Sequence, residues 1–276
     1  MDFSFNKTDI EFFYQNGYIN LGKLLDKNEL EDIRKVFDLD REKNRTHWYN
    51  FHMQTVNCDA LFTSPKFDSI IRHPKILERI GELMGDEICF SEICIRHMEP
   101  YEGDLQQKWH RDRPHLANHP LRINFLQVMV YLTAVDENTH CFSLSPESVD
   151  EEIFETKEQL ERRGGVDLYG EAGTAIIFNT SVLHTATIRN TTSERKSIQI
   201  YYGHRSKPYL SEDSLIPSCY WKKHTDPEVK SFYSVLNKKT IEYHKRTNRN
   251  LSFEKKLELL REIDCETGRR VKEDNN

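Results

Sequence analysis

The sequence has no long run of uncharged apolar residues, and this limits the class of protein that it encodes. Only 37% of its 276 residues are hydrophobic. The longest apolar stretch, 125–135, is about half as long as the roughly 20 residues that a membrane-spanning helix needs. The first residues also lack the basic leader and apolar core of a targeting signal. We therefore expect neither a membrane-spanning segment nor a secretory or organellar signal.

Glycine and proline are scarce, at 11 and 9 residues, whereas aromatic residues make up 11% of the chain. Disordered chains have few aromatic residues and are often rich in proline and glycine, so we expect a folded protein. A chain of this length buries about 75% of its unfolded surface. We expect one domain, 1–276, with a helical buttress (1–85), a β core (86–205) and a helical extension (206–276).

The six cysteines show no spacing that predicts a zinc site or a disulfide framework. The nearest pair, Cys89 and Cys94, has four residues between its members and no second pair behind it. Structural zinc sites usually carry two close pairs of ligands, and a long chain without a signal peptide favours reduced thiols. We expect a cytoplasmic protein with free cysteines.

The charge balance is mildly acidic. Asp and Glu number 45 against 39 Lys and Arg, which gives a formal net charge of −6. Because binding to nucleic-acid phosphates favours a basic surface, nucleic acid is not the expected partner. We expect a small-molecule substrate, and the sequence leaves the oligomeric state open.

Helical signals lie towards both ends of the chain. Two candidate capping boxes, Thr8 with Glu11 and Asp26 with Glu29, precede apolar residues at helical spacing. Gly17 is placed to end the first of these helices. Further predicted helices are Pro74–Met84, 227–245 and 252–263.

The middle of the chain has the pattern of β-strands. Short runs rich in β-branched and aromatic residues follow one another without helices long enough for regular crossovers. This pattern predicts an antiparallel sandwich or barrel. The predicted strands are 88–97, 122–135, 173–178 and 196–202.

A His-x-Asp motif, His110 and Asp112, lies in this β-rich region. Side chains two residues apart on a strand point the same way, so the imidazole and the carboxylate are able to contact one ion. The motif alone is weak evidence, because a salt bridge at the end of a strand has the same pattern.

A second histidine and an arginine follow downstream. His184 comes after a glycine turn and a buried strand, and Arg195 opens the next strand 11 positions later. This order predicts that the two side chains lie on neighbouring strands of one sheet. Two histidines and one carboxylate on one face of an ion form the facial triad of non-haem Fe(II) oxygenases. The arginine would bind a dicarboxylate through two parallel hydrogen bonds. Alternatively, His184 is a core histidine and Arg195 a solvated charge.

With these residues in place, the sequence resembles the phytanoyl-CoA dioxygenase-like family of Fe(II)/2-oxoglutarate-dependent oxygenases. The resemblance rests on His110, Asp112, His184 and Arg195 and covers residues 85–205 well. It implies a mainly β fold with flanking helices, namely a double-stranded β-helix, or cupin-like jelly-roll barrel. It also implies Fe(II), with 2-oxoglutarate and O2 as co-substrates.

The resemblance further implies a role for each matching residue. His110, Asp112 and His184 would bind iron and be catalytic, and Arg195 would bind the C5 carboxylate of 2-oxoglutarate. Oxidation of a substrate C–H bond would be coupled to decarboxylation of 2-oxoglutarate to succinate and CO2. Because related halogenases lack the carboxylate that Asp112 supplies, halogenation is not expected.

Two departures from the family pattern affect the neighbourhood of the site. Residues 146–149 read Pro-Glu-Ser-Val where the family often has Pro-Gly-Ser-His. We expect this change to alter loop shape and substrate contacts rather than the iron site. Ala186 stands where many relatives carry a hydroxyl that contacts 2-oxoglutarate, so Thr185, Thr187 or Ser197 is expected to replace it.

Four other residues are candidates for the site. Gln127 shares strand parity with Met129 and Tyr131, so it either hydrogen-bonds 2-oxoglutarate or lies in a turn. The substrate mouth is expected to be walled by Arg96, Trp109 and Arg113, although Trp109 is equally suited to packing and Arg113 to solvation.

Two other functions remain open from the sequence alone. The first is a non-catalytic jelly-roll protein that binds a metal or a small molecule. The second is a cupin-type metalloenzyme that does not use 2-oxoglutarate. Arg195 is the only residue that distinguishes the predicted oxygenase from such an enzyme. The substrate and the position that is oxidised are not predicted.

Overall fold

The computed structural model describes residues 5–85, 87–112, 125–148, 150–207, 211–247 and 251–268. Within these ranges, no helix is both long enough and apolar enough to span a membrane. Part of the predicted strand 122–135 lies outside the described residues, as do Arg113 and Val149.

The β-strands carry most of the architecture. They are β1 (Tyr18–Lys23), β2 (Tyr49–Phe51), β3 (Gln54–Asn57), β4 (Ile88–Met98), β5 (Gln106–Gln107), β6 (Leu126–Tyr131), β7 (Cys141–Leu144), β8 (Val166–Leu168), β9 (Thr174–Asn179), β10 (His184–Ile188) and β11 (Arg195–His204).

The helices flank the strands in the sequence. They are α1 (Lys7–Asn16), α2 (Lys27–Lys43), α3 (Ala60–Thr63), α4 (Asp68–Ile71), α5 (Pro74–Met84), α6 (Thr156–Arg163), α7 (Ser218–Trp221), α8 (Pro227–Phe232), α9 (Lys238–Arg246) and α10 (Phe253–Glu266).

The strands form two antiparallel sheets. The large sheet has the order β1-β9-β6-β11-β4-β3-β2, and the small sheet has the order β5-β10-β7-β8. Neighbouring strands come from distant parts of the chain, as where β11 lies between β4 and β6. The predicted mainly β fold with flanking helices is confirmed.

The large sheet has two chemically different faces. On β4 and β11, Ile93, Ile95, Ile198 and Ile200 point into a hydrophobic core that also contains residues of α1, α2 and α5. The alternate residues of the same strands face the opposite side, because side chains alternate along a strand. The helices therefore cover one face of the large sheet and leave the other face for the small sheet and a cavity.

A second core joins the two sheets. Met129 and Phe178 of the large sheet are in one buried cluster with Phe142, Leu144 and Leu168 of the small sheet. Packing of two sheets face to face is the arrangement expected of a jelly roll.

The N-terminal part of the chain contributes strands as well as helices. Strand β1 pairs with β9 at one edge of the large sheet, while β3 pairs with β4 near the other edge. The segment 1–85, predicted as a helical buttress, therefore also contains three strands. These strands are short, and their partners lie far away in sequence, so local periodicity does not reveal them.

The helix boundaries follow their capping residues. The box Asp26–Glu29 is confirmed, whereas α1 begins two residues before the predicted position, with Asn6 and Asp9 forming its capping box. Gly17 ends α1 with a φ of 72°, a conformation that favours glycine. The predicted helix 227–245 is two helices, because Asn237 caps the start of α9.

A buried ion cluster attaches the C-terminal helices to the rest of the molecule. Lys239 of α9 lies 2.7 Å from Asp59, which follows β3, and 2.7 Å from Asp264 of α10. His47 also contacts Asp59, at 2.9 Å. Burial by itself would raise the pKa of Asp59, but Lys239 and His47 hold that pKa well below its usual range. All four side chains are almost fully buried, so water does not compensate for the loss of any one of these contacts.

We predict that Lys239→Met lowers the free energy of unfolding by about 3–5 kcal/mol, because it leaves two buried carboxylates without their cation. Urea unfolding followed by circular dichroism measures the change. The matched control is Lys238→Met, since Lys238 has a largely exposed side chain and pairs with Glu212 at the surface. Its expected loss is below about 1 kcal/mol. Equal losses in the two variants would show that the cluster does not stabilise the fold.

Candidate metal centre

His110 and His184 face each other as a backbone-bonded pair. The N–H of each residue donates to the carbonyl oxygen of the other, and both distances are 2.9 Å. His184 opens β10 of the small sheet, and His110 follows β5, the neighbour of β10. The ring centroids lie 4.5 Å apart. Residues paired in this way project their side chains from the same face, so the two imidazoles lie side by side.

The hydrogen bonds of the two imidazole rings indicate which ring nitrogen carries the proton. His110 Nδ1 lies 2.9 Å from the carbonyl oxygen of Lys108, and His184 Nδ1 lies 2.8 Å from that of Val182. A carbonyl only accepts hydrogen bonds, so Nδ1 carries the proton in each ring. In the neutral form of each ring, Nε2 then carries the lone pair that binds a metal.

Asp112 completes the group. Its Oδ1 lies 3.3 Å from His184 Nε2 and 3.8 Å from His110 Nε2. Its other oxygen, Oδ2, accepts hydrogen bonds from Gln127 Nε2 and, at 3.2 Å, from the Tyr201 hydroxyl. Gln199 in turn donates to Gln127. This chain of donors holds the carboxylate so that Oδ1 faces the histidines.

The electrostatics keep Asp112 ionised. Burial alone would raise the pKa of Asp112, but His184 and then His110 lower it to about 2. Burial lowers the pKa of His110, and the neighbouring His184 lowers it further. The site thus offers one carboxylate charge and two imidazoles.

These donors fit iron(II). One ligand atom from each of His110, Asp112 and His184 lies within 4.8 Å of the other two, so a single ion is able to contact all three. Two imidazoles and one carboxylate match the donor set of non-haem Fe(II) oxygenases, which leaves coordination positions open for other ligands. The structure thus brings together the three residues that the sequence predicted.

An ion pair holds the two metal-binding segments together. Arg111, between His110 and Asp112, makes a two-pronged contact with Glu147, in which Nη2 lies 2.7 Å from Oε1. Arg111 also donates to the carbonyl oxygen of Ser181, at 2.6 Å. Glu147 accepts the N–H of Leu183, directly before His184, at 2.8 Å. The expectation that residues 146–149 affect only the loop and the substrate is therefore wrong, because Glu147 links both halves of the metal centre.

The loop that carries Glu147 is itself held by the end of α1. The N–H of Glu147 donates to the carbonyl oxygen of Asn16 at 3.0 Å. A Cβ on Gly17 would lie 2.7 Å from the carbonyl oxygen of Glu147 and 2.5 Å from Val182 Cγ2. Such distances are too short for any side chain, so glycine is required by close approach as well as by its φ.

Arg195 reaches the same cavity from the other sheet. It opens β11 of the large sheet, whereas His184 opens β10 of the small sheet. The prediction that they lie on neighbouring strands of one sheet is therefore wrong. The short connection between the two strands crosses from one sheet to the other, which spacing along the chain does not reveal.

The guanidinium of Arg195 has unmet hydrogen-bonding capacity. Arg195 is 2% exposed, and its Nε and Nη1 have no acceptor among the described residues. Burial lowers the pKa of Arg195. A buried charge without a partner is costly, so this side chain is suited to an anionic ligand.

The candidate hydroxyls around Ala186 differ in their partners. Thr185 Oγ1 accepts the N–H of Lys108 at 2.8 Å, and Thr187 Oγ1 shares a 2.5 Å hydrogen bond with Ser143. Ser197 is fully buried, two residues beyond Arg195, and its Oγ has no partner among the described residues. Of the three alternatives, Ser197 has the hydroxyl that is free to bind a ligand.

A cavity of about 900 Å³ adjoins the metal centre. It is lined by the three candidate metal ligands, by Arg195 and by Arg96 of β4. Trp109 is not part of the lining formed by the described residues. Its ring lies against Gly165, where an added Cβ would approach it to 2.8 Å, and its Nε1 lies 3.3 Å from Gln107 Oε1. Of the two roles expected for Trp109, these contacts agree with packing, and the role at the substrate mouth stays a prediction. Arg113, the third candidate, is outside the described residues.

A second group of potential ligands lines another part of this cavity. One ligand atom from each of Cys58, Glu92 and Cys94 lies within 4.8 Å of the other two, and all three residues are buried. The Sγ atoms of the two cysteines are 3.3 Å apart. Spacing in the sequence gave no signal for this group, because Cys58 comes from the segment after β3 rather than from a nearby pair.

Comparison with known proteins identifies the family. Residues 13–197 match the family model described as phytanoyl-CoA dioxygenase (PhyH), which is more than half of the chain. No curated protein matches this sequence.

Several solved structures share the fold. The non-haem alpha ketoglutarate dependent carbocyclase SnoK from nogalamycin biosynthesis is 18% identical, with a TM-score of 0.64 over 73% of this chain and 85% of its own. EctD from S. alaskensis, solved with 2-oxoglutarate and 5-hydroxyectoine, is 16% identical, with a TM-score of 0.65 over 78% and 82%. The epimerase SnoN, solved with Fe3+, alpha ketoglutarate and nogalamycin RO, is 18% identical, with a TM-score of 0.62 over 74% and 86%.

At these identities the similar structures establish the jelly-roll fold alone. The match of residues 13–197 to the family model establishes the family. The chain belongs to the phytanoyl-CoA dioxygenase family, a family of iron- and 2-oxoglutarate-dependent enzymes.

Proposed function

We propose that this protein is an Fe(II)/2-oxoglutarate-dependent dioxygenase that hydroxylates or otherwise oxidises a C–H bond of a small organic substrate. In this reaction 2-oxoglutarate is decarboxylated to succinate and CO2. The observation that carries the proposal is the convergence of the His110, Asp112 and His184 ligand atoms and an unpartnered, buried Arg195 on one cavity.

The three candidate ligands would hold the metal through His110 Nε2, His184 Nε2 and Asp112 Oδ1. When bound, iron together with O2 and 2-oxoglutarate supplies the oxidising power that no amino-acid side chain has. The chain contributes geometry, because the hydrogen bonds to Lys108 and Val182 orient the two rings.

Gln127 has a positioning role in this proposal. Its amide donates to Asp112 Oδ2, so we assign it to the metal carboxylate rather than to 2-oxoglutarate. Together with Tyr201 it satisfies one carboxylate oxygen and leaves the other for the metal. Outer hydrogen bonds of this kind fix the orientation of a ligand.

Arg195 and Ser197 would bind the far carboxylate of 2-oxoglutarate. The guanidinium offers two parallel donors that match a carboxylate, and the Ser197 hydroxyl is the unpartnered neighbour on the same strand. Arg195 also argues against the two other functions. Neither a cupin-type metalloenzyme that does not use 2-oxoglutarate nor a protein that binds only a metal requires a buried, unpaired cation in its cavity.

We also propose a reducing, cytoplasmic compartment. All six cysteines are described and free, including the closely spaced Cys58 and Cys94. Thiols at this separation are readily oxidised to a disulfide outside such a compartment.

The first prediction concerns the metal centre. Under nitrogen, Fe(II) plus 2-oxoglutarate should give the wild-type protein a weak visible charge-transfer band, and His110→Ala should lack the band because one metal ligand is gone. His73→Ala is the control, since His73 contacts Glu29 among the N-terminal helices and should leave the band intact. A wild type without the band, or an unchanged band in His110→Ala, would contradict the site.

The second prediction separates co-substrate binding from structure. Arg195→Ala should weaken 2-oxoglutarate binding by about 10- to 100-fold, the usual effect of losing a charge-assisted hydrogen-bond pair. Its affinity for Fe(II), measured by competition with a chelator, should change little. Arg189→Ala is the control, because Arg189 pairs with Asp167 outside the cavity lining. Equal losses of iron and 2-oxoglutarate affinity in Arg195→Ala would assign Arg195 to structure.

The third prediction tests the Arg111–Glu147 pair. Glu147→Gln keeps the shape of the side chain but removes its charge, so both metal-binding segments lose a common anchor. Affinity for Fe(II) should fall by about 10- to 100-fold, as for other outer contacts of metal ligands. Glu151→Gln, which affects an exposed pair with Arg163, is the control. Loss of thermal stability with unchanged iron affinity would refute the positioning role of Glu147.

A further inference from the structure

We propose that the substrate is a small, polar organic acid whose anionic group binds Arg96 in the same cavity. This inference rests on the proposed function and names the class of molecule that the site oxidises. It comes from a comparison of charges. Arg96 and Arg195 both line the cavity, but only one carboxylate of 2-oxoglutarate is available to pair with them.

Arg96 is a second guanidinium in the cavity. It lies on β4 directly opposite Ser197 of β11, so it shares a sheet face with Arg195 as a diagonal neighbour. Diagonal side chains on paired strands are about 7–8 Å apart. Arg96 Nε is buried and has no hydrogen-bond acceptor among the described residues. Its guanidinium lies 5.9 Å from the centre of the Phe51 ring, which also lines the cavity.

The co-substrate does not account for both arginines. 2-Oxoglutarate has two carboxylates: one is assigned to Arg195, and the open coordination positions of the metal would accept the other. No carboxylate of 2-oxoglutarate is then left for Arg96, although it faces the same cavity. Burial lowers the pKa of Arg195 and the charge of Arg96 lowers it further, so the two guanidinium groups repel each other, and an anion bound at Arg96 would offset that repulsion.

Other basic groups lie on the same wall. Lys108 and His52 line the cavity, and burial, Lys108 and Arg96 together lower the pKa of His52. Lys108 is exposed, so it adds positive potential at the rim rather than a buried contact. This wall favours the entry of an anion.

Beyond Arg96, the lining is polar. Glu92 and Cys94 project from the same face of β4, and Ser211, a hydrogen-bond neighbour of Glu92, also lines the cavity. Glu92 is 4% exposed, and burial followed by the nearby Asp213 raises its pKa well above the usual range. A protonated carboxyl both donates and accepts hydrogen bonds. This part of the cavity suits hydroxyl, amino or amide groups better than a long aliphatic chain.

The test measures succinate release by the wild-type protein with Fe(II), 2-oxoglutarate and O2. The probes are amino and hydroxy acids of three to eight carbons, their methyl esters, and unsubstituted aliphatic acids of the same lengths. At least one polar acid should stimulate succinate release, with its methyl ester about 10- to 100-fold less effective because it cannot pair with the guanidinium. Aliphatic acids should be weaker than polar acids of equal length.

Variants then assign the preference to Arg96. Arg96→Met should bring the ratio of acid to ester activity close to one, and Arg96→Lys should restore part of it, since lysine keeps the charge but not the planar fork. Glu92→Gln should leave the preference for acid over ester in place. Arg41→Met is the surface control, because Arg41 pairs with Glu99 away from the cavity lining.

Several results would overturn the inference. These are a methyl ester as effective as its acid in the wild type, equal losses for acid and ester in Arg96→Met, or loss of 2-oxoglutarate binding in Arg96→Met. Failure of every acid with a wild-type protein that shows the anaerobic visible band would refute the substrate class and leave the proposed function standing. Absence of that band would refute the proposed function instead.

Discussion

The metal centre depends on the pair of backbone hydrogen bonds between His110 and His184. These two residues are distant in sequence: His184 is the first residue of β10, and His110 follows β5. The reciprocal N–H to carbonyl contacts, both 2.9 Å, fix which residue faces which. A shift of one residue on either side would turn that imidazole to the opposite face. Asp112 follows His110 by two residues, so its direction depends on the same register.

The rest of the site supports this register from two sides. On the outer side, Arg111 and Glu147 connect the segment before Asp112 to the segment before His184. On the inner side, Gln127 and Tyr201 of the large sheet hold the free oxygen of Asp112. The small sheet thus supplies His184, to which His110 is paired, while the large sheet supplies the hydrogen bonds to Asp112 together with Arg96 and Arg195. The function requires the two sheets to keep their separation, which the core around Phe142 and Phe178 maintains.

The sequence predicted the parts of the site that local pattern determines. Alternation along a strand placed His110 and Asp112 together and placed Gln127 on the cavity side. The sheet of His184 and the sheet of Arg195 were not predictable, because strand pairing in a jelly roll joins distant segments. Glu147 has no sequence signal, since its role arises only when its loop meets Arg111.

The most direct test of this account is the position of the metal. Crystals grown under nitrogen with Fe(II) and 2-oxoglutarate should give one anomalous peak at the iron absorption edge. We predict that it lies within coordination distance of His110 Nε2, His184 Nε2 and Asp112 Oδ1, with Asp112 Oδ2 still bonded to Gln127. A peak between Cys58, Glu92 and Cys94, or none near His110 and His184, would contradict the account.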